Sequence, residues 1–229
     1  MPVAAILFDV GGPLDTEESH ENAVDRLLPE AARHAGYEFT PGDYIAACAH
    51  AIEIYAPDLH ESVVWQLCNG DRFAAHRAWA LFTEAMSKYA FADPRPGMAA
   101  LLGSLRATGL RLGAVPDQPG PLTGKLERLG MSGLFDCDLG TTALGARKPD
   151  TRLLLAVCGR LGVAPADCVM VGDRVDADIV PARHLGMRTI RFRCGRHAMQ
   201  DPRGWSELPD VEVATVDELA AAIDRLTAS

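Results

Sequence analysis

The 229-residue chain is predicted to fold as an α/β protein with a doubly wound, mostly parallel sheet and an inserted all-helical segment, and three features predict it. Short, continuous apolar runs, of the kind parallel strands show when both faces are covered, recur at 3–8, 111–115, 134–139, 168–172 and 189–194. Stretches with apolar residues three and four apart alternate with them, and such β/α alternation builds a parallel sheet with helices on both faces. Between about Thr16 and Asp93 the alternation stops and only helical spacing remains.

The first run, Val3 to Phe8, ends abruptly at Asp9 and a Gly11-Gly12-Pro13 turn. In the helical segment, Val24, Leu27, Leu28, Ala31 and Ala35 form one stripe, with Pro29 a point where the helix is expected to kink or split. Thr40-Pro41 is a cap and first-turn pair, followed at helical spacing by Tyr44, Ala47, Cys48, Ala51, Ile52 and Tyr55 until Pro57. Ala75, Trp79, Phe82, Met86 and Tyr89 make a further stripe, read as bundle core and not as a cofactor site. A helical insert after the first strand suggests a small lid over the active end of the sheet, and Pro94, Pro96 and Gly97 mark the return to the main domain. Leu153, Leu154, Val157 and Leu161 then form a helix after Lys148-Pro149-Asp150. Thr215 with Glu218 reads as a capping box for a closing helix over 216–226.

Composition narrows the function classes. With 22 basic against 31 acidic residues, a net charge of −9 argues against a nucleic-acid partner. An apolar content of 48% and a charged content of 23% fit a globular protein, with neither disorder nor a membrane span. The six cysteines are scattered without a CxxC pair, which implies a reducing compartment, and the N-terminus lacks the basic lead-in of a signal peptide. A cytoplasmic location is the resulting expectation. The seven histidines are dispersed, and no HExxH, GxSxG or intact P-loop occurs, so a zinc site or a serine triad is unsupported. Arg188, Arg191, Arg193 and Arg196 cluster around the last core strand and read as solvated or salt-paired surface residues.

Chemistry in doubly wound sheets gathers at the carboxyl ends of the strands, where Asp9, Asp117 and Asp173 are expected. Asp173, Asp176 and Asp178 follow an apolar strand, which tolerates so many carboxylates only beside a cation or a helix terminus. A hard divalent ion such as Mg²⁺ is a natural partner for oxygen donors, and Lys148 would balance the remaining charge.

The order FDVGGPLDT, a strand followed by Pro116-Asp117-Gln118, then RKPD, then VMVGDRVDADIVPARHLGMRTI resembles the haloacid dehalogenase-like hydrolase superfamily over essentially the whole chain. The resemblance implies a Rossmann-like core domain from residues 1–15 and 94–229 and a helical cap from 16–93. It implies a phosphatase in which Asp9 is the nucleophile, Lys148 holds Asp9 and the phosphate together, and Mg²⁺ is bound by Asp9, the Gly11 carbonyl, Asp173 and Asp178. Gly11, Gly12, Asp117, Gln118 and Lys148 would contact the phosphate of a small phosphorylated metabolite. Gly11 stands where the family's phosphatases usually carry a second Asp as general acid and base, and Pro116 where they usually offer a Ser or Thr hydroxyl. Three readings follow: a Mg²⁺-dependent phosphatase, with Asp15, Glu17, Glu18 or His20 as conceivable sources of the proton; a metal-independent dehalogenase-type hydrolase; and a non-catalytic relative that binds a ligand on the same fold. Oligomeric state cannot be read from the sequence.

Overall fold

The computed structural model describes residues 3–117, 122–139 and 145–228. The chain divides into two compact units, one made of the residues up to Thr16 with those from Ala92 onward, the other of Glu17–Phe91.

A five-stranded parallel sheet forms the first unit: β1 (Ala5–Phe8), β2 (Arg111–Ala114), β3 (Cys168–Gly172), β4 (Arg188–Phe192) and β5 (Val211–Val213), in the order β2-β1-β3-β4-β5. Strand periodicity divides its side chains between two cores. Ile6, Phe8, Leu112, Ala114, Val169, Val171, Ile190 and Phe192 pack on one face with residues of α5 (Met98–Ala107), α6 (Thr123–Arg128) and α9 (Val216–Thr227). Ala5, Leu7, Cys168 and Met170 pack on the other with α7 (Thr151–Leu161) and α8 (Val180–His184). Each fully buried Leu or Phe contributes about 1.5–3 kcal/mol, so the inner strands are held mainly by these two layers. The capping box of α9 is formed as expected, with Thr215 Oγ1 accepting from Glu218 N at 3.2 Å.

Two sequence expectations are corrected here. The run from Leu134 to Leu139 forms no strand among the described residues and makes one isolated bridge, Cys137 to Gly113, through hydrogen bonds to the edge of β2. The sheet instead gains β5, whose three residues carry half-buried Val211 and exposed Glu212 and so lack a continuous apolar signature. The arginine cluster is also mixed: Arg193 is exposed and salt-paired with Asp201 at 3.1 Å, but Arg191 is completely buried.

The second unit contains α1 (Glu18–His34), α2 (Pro41–Glu53), α3 (Leu59–Leu67) and α4 (Arg72–Met86) around a core that includes Val24, Leu28, Ala51, Val63, Ala78 and Phe82. Pro29 does not split α1, which stays helical on both sides of it, and it is buried alongside Val24, Leu28 and Ala31 while Leu27 is partly buried. Thr40 caps α2 in a full capping box with Asp43. In α4 the stripe is buried at Ala75 and Phe82 and partly buried at Trp79 and Met86, while Tyr89 lies beyond the helix, half exposed and stacked on Phe91. Among the described residues no helix is long and apolar enough to cross a membrane.

Gly113 lets α7 approach β2: a Cβ there would lie 2.6 Å from Val157 Cγ1 and 3.3 Å from Leu161 Cδ1. Gly113→Ala is expected to destabilise the protein by about 1–3 kcal/mol through overpacking, and an unchanged urea midpoint would refute this. Burial, and next the adjacent His20, pull the His60 imidazolium down from 6.5 to about 4. Unfolded chain therefore takes up this proton before folded chain does, so stability present at pH 7 is lost as pH falls from 6.5 towards 4. Thermal melts at pH 7 and pH 5 should show a smaller loss in His60→Gln than in the parent protein; equal losses would exclude the effect.

Candidate active site

Asp9 extends β1 by one residue, its N–H donating to the Val171 carbonyl of β3 at 2.8 Å, and its own Oδ1 accepts from Val10 N at 2.7 Å. The turn that follows is built for close approach. Gly12 has φ +75°, and a Cβ on it would meet Asp173 Cγ at 2.9 Å. Arg95 clamps the turn, donating to the Gly12 carbonyl through Nε (2.9 Å) and Nη2 (2.6 Å) and to the Pro13 carbonyl through Nε (3.1 Å).

Asp173 and Asp178 flank the exit from β3. After it the backbone makes a wide turn, Val175–Ile179, in which Ile179 N reaches the Arg174 carbonyl at 3.3 Å, a five-residue step. Asp178 closes this turn, Oδ2 accepting from Arg174 N at 3.0 Å. Its side chain lies against Gly172, where an added Cβ would be 2.3 Å from Asp178 Cγ. Only a residue without a side chain fits beneath that carboxylate.

Lys148 joins the two ends. It lies two residues before Asp150, the N-cap of α7, and its backbone N–H donates to Asp117 Oδ1 at 3.1 Å. Its buried ammonium reaches Asp9 Oδ1 at 2.6 Å and Asp178 Oδ1 at 2.6 Å. Carboxylate oxygens of Asp9, Asp173 and Asp178 all lie within 4.8 Å of one another, and all three residues are buried. Burial, then the charges of Asp178 and Asp117, push the Asp9 carboxyl up to about 8, although Lys148 pulls the other way. For Lys148, desolvation favours the neutral amine, but Asp178, Asp9 and Asp117 together outweigh it and raise its pKa.

Thus Asp9, Lys148, Asp173 and Asp178 meet at the carboxyl ends of β1 and β3, with Gly12 in the turn beside Asp173. Half-buried Gly11 is in the same turn and bridges to Asp15. Asp117 directs one oxygen to the backbone that carries Lys148. Gln118 lies outside the described residues. Asp15 is buried, ion-paired with Lys125 and accepting from Asp93 N at 2.8 Å, an environment that commits it to holding the chain. Asp176, grouped by sequence with its neighbours, is drawn aside by Arg174 and Gln200: Arg174 Nη2 to Oδ2 is 2.6 Å and Gln200 Nε2 to Oδ1 is 2.8 Å. Burial raises the Asp176 pKa, but these partners outweigh it and keep the pKa below the usual carboxylate range. Sequence reasoning missed Arg95, Lys125 and Gln200, which act across separations of up to 110 residues on groups with no local spacing signal.

The donor set fits a hard divalent cation. Three buried carboxylates supply only oxygen donors, two of them bonded to the Lys148 ammonium, and such an oxygen set suits a hard ion.

The chain is 29% identical over 232 residues to a glyceraldehyde 3-phosphate phosphatase of Methanopyrus kandleri, covering 98% of each. It is 26% identical over 237 residues to a phosphoglycolate phosphatase of Nitrosospira multiformis, covering 99% of this chain and 95% of the relative. Among solved structures it resembles the HAD phosphatase of Thermococcus onnurineus, with a TM-score of 0.63 and 25% identity over 96% of this chain and 98% of that one. The family model for haloacid dehalogenase-like hydrolases matches residues 3–186, and the protein, with its carboxylate and lysine residues gathered at the strand ends, belongs to that family and is a hydrolase.

Proposed function

We propose that the protein is a Mg²⁺-dependent phosphatase of small phosphorylated metabolites that works through an aspartyl-phosphate on Asp9. The observation that carries this reading is the buried group of Asp9, Asp173 and Asp178 with Lys148 bonded to two of them. Two relatives covering nearly the whole chain are named as phosphatases of three- and two-carbon phosphate esters, which supports the substrate class.

Asp9 attacks phosphorus through a carboxylate oxygen, and the ester P–O bond breaks with its electron pair on the leaving oxygen, which takes a proton. Water then attacks phosphorus, the bond to Asp9 breaks, and phosphate leaves with the Asp9 carboxylate restored. Lys148 keeps Asp9 oriented and offsets the charge of the incoming dianion. Asp9, Asp173, Asp178 and the Gly11 carbonyl would hold Mg²⁺, which would supply the charge neutralisation that lets a carboxylate meet a phosphate. Gly11 has no side chain to deliver the proton, and Asp15 is occupied by Lys125 and Asp93, so the proton for the leaving oxygen comes from solvent or from Glu17, Glu18 or His20. The helical unit, Glu17–Phe91, serves as the cap that selects that leaving group.

Phosphate release from a panel including glyceraldehyde 3-phosphate and phosphoglycolate should be abolished by EDTA, restored by Mg²⁺, and reduced to background in Asp9→Asn. Metal-independent halide release from haloacids would instead establish the dehalogenase reading, and no turnover above the Asp9→Asn background on either panel would establish a non-catalytic one. The same charge balance governs stability: Lys148→Met leaves Asp9 and Asp178 buried without their shared cation and is expected to cost about 3 kcal/mol in metal-free urea unfolding. An unchanged midpoint would show that the pair is not holding the fold.

A further inference from the structure

The end of β3 is braced from behind by two buried polar side chains that the mechanism does not use. Gln200, 1% exposed, comes from the loop after β4. Its Oε1 accepts from Val175 N at 2.6 Å and its Nε2 donates to Asp176 Oδ1 at 2.8 Å, so one amide holds both the backbone and a side chain at the start of the wide turn. Arg191, fully buried, stands beside Gly172 in the β3–β4 register. Its Nε donates to the Asp173 carbonyl at 3.4 Å, its Nη1 meets Glu212 Oε1 at 3.0 Å, and its Nη2 donates to the carbonyls of His197 (3.0 Å) and Gln200. One guanidinium therefore ties the backbone of Asp173 to the backbone of the residue that holds Val175 and Asp176.

We infer that Gln200, seated by Arg191, is a positioning residue for the divalent cation: it draws Asp176 out of the carboxylate group and fixes the turn that sets Asp178 against Asp173. This rests on the metal-site reading above and deepens it. The bracket is chemically asymmetric. A side chain here must accept from Val175 N–H and donate to Asp176 at once, which a carboxylate or an aliphatic group cannot do. Without the donor, Asp176 loses one of its two side-chain partners, and the turn that orients Asp178 loses the bond to Val175 or the brace on Asp176. Groups behind metal ligands commonly contribute tenfold or more to metal affinity, so the consequence falls on cation binding before it falls on the fold.

The test is Mn²⁺ binding to the purified full chain, followed by electron paramagnetic resonance, with Mg²⁺ half-saturation of phosphatase activity measured alongside. Parent protein should bind the ion and Asp173→Asn should not; if the parent fails to bind, the metal-site reading itself fails. Gln200→Leu is expected to raise the Mn²⁺ Kd about tenfold and the Mg²⁺ half-saturation in parallel, with kcat recovered at saturating Mg²⁺. A lowered kcat that Mg²⁺ does not recover, with unchanged Kd, would overturn the inference and leave Gln200 a structural residue. If Gln200→Leu does not fold, Gln200→Glu is read in the same way. It keeps the acceptor for Val175 but sets a carboxylate against Asp176, and adding Asp176→Asn to it restores a donor–acceptor pair. Weakened Mn²⁺ binding in Gln200→Glu that the second substitution reverses supports the bracket; undiminished binding in Gln200→Glu overturns it.

Discussion

The Lys148 ammonium, held at 2.6 Å from both Asp9 and Asp178, is the contact on which the rest of the active end depends. Buried charges are tolerated only when paired, and each partner here comes from a different part of the chain: the tip of β1, the loop before α7, and the wide turn after β3. The pairing therefore does more than neutralise charge. It closes three segments on one another and also recruits Asp117, whose carboxylate holds the Lys148 backbone. Burial first, and then the charges of Asp178 and Asp117, make Asp9 reluctant to ionise even beside Lys148.

Close packing makes this concentration of charge possible. Carboxylates crowd together only if the backbone beneath them is thin, and Gly12 and Gly172 are the two places where it is: each would drive a Cβ into a carboxylate group, of Asp173 and Asp178 respectively. The wide turn complements them by swinging the Asp178 side chain back over the strand it has just left. The sheet supplies rigidity behind these contacts, because β1 and β3 are central strands covered by a core on each face. Asp9 and Asp173, at the ends of these strands, take their placement from that sheet.

The residues that converge at this end were legible in the sequence because each is announced locally. A buried strand that stops at an Asp, a Lys-Pro-Asp before a helical stripe, and a GDRVDAD block after an apolar run all carry their signal within a few positions. Four of the five strands and the helical unit followed from periodicity for the same reason. What escaped was non-local or compositionally weak. β5 alternates in burial over only three residues, while the run at 134–139 is apolar enough to suggest a strand yet forms a single bridge. Arg191 looked like one of four surface arginines, because nothing in its neighbours reveals that three carbonyls and Glu212 await it in the interior. Arg95 and Lys125 were silent for a related cause: their partners, the Gly12 carbonyl and Asp15, belong to the first turn of the chain.

The fate of the three carboxylates after β3 shows how identical residue types are assigned different work by their surroundings. Composition alone cannot separate Asp173, Asp176 and Asp178. Asp176 is distinguished by what reaches it: a guanidinium from two residues away and an amide from twenty-four residues away, both of which favour its ionised form. Having its own cation, it has no electrostatic need for another. Asp178 shares Lys148 with Asp9, and Asp173 stands at the edge of the same group. The pairing with Arg174 and Gln200 sets Asp176 apart from Asp9, Asp173 and Asp178, whose carboxylate oxygens stay together in one buried group. The different work of these like groups thus comes from local neutralisation, supplied to Asp176 by an arginine and a glutamine that stand outside the carboxylate group itself.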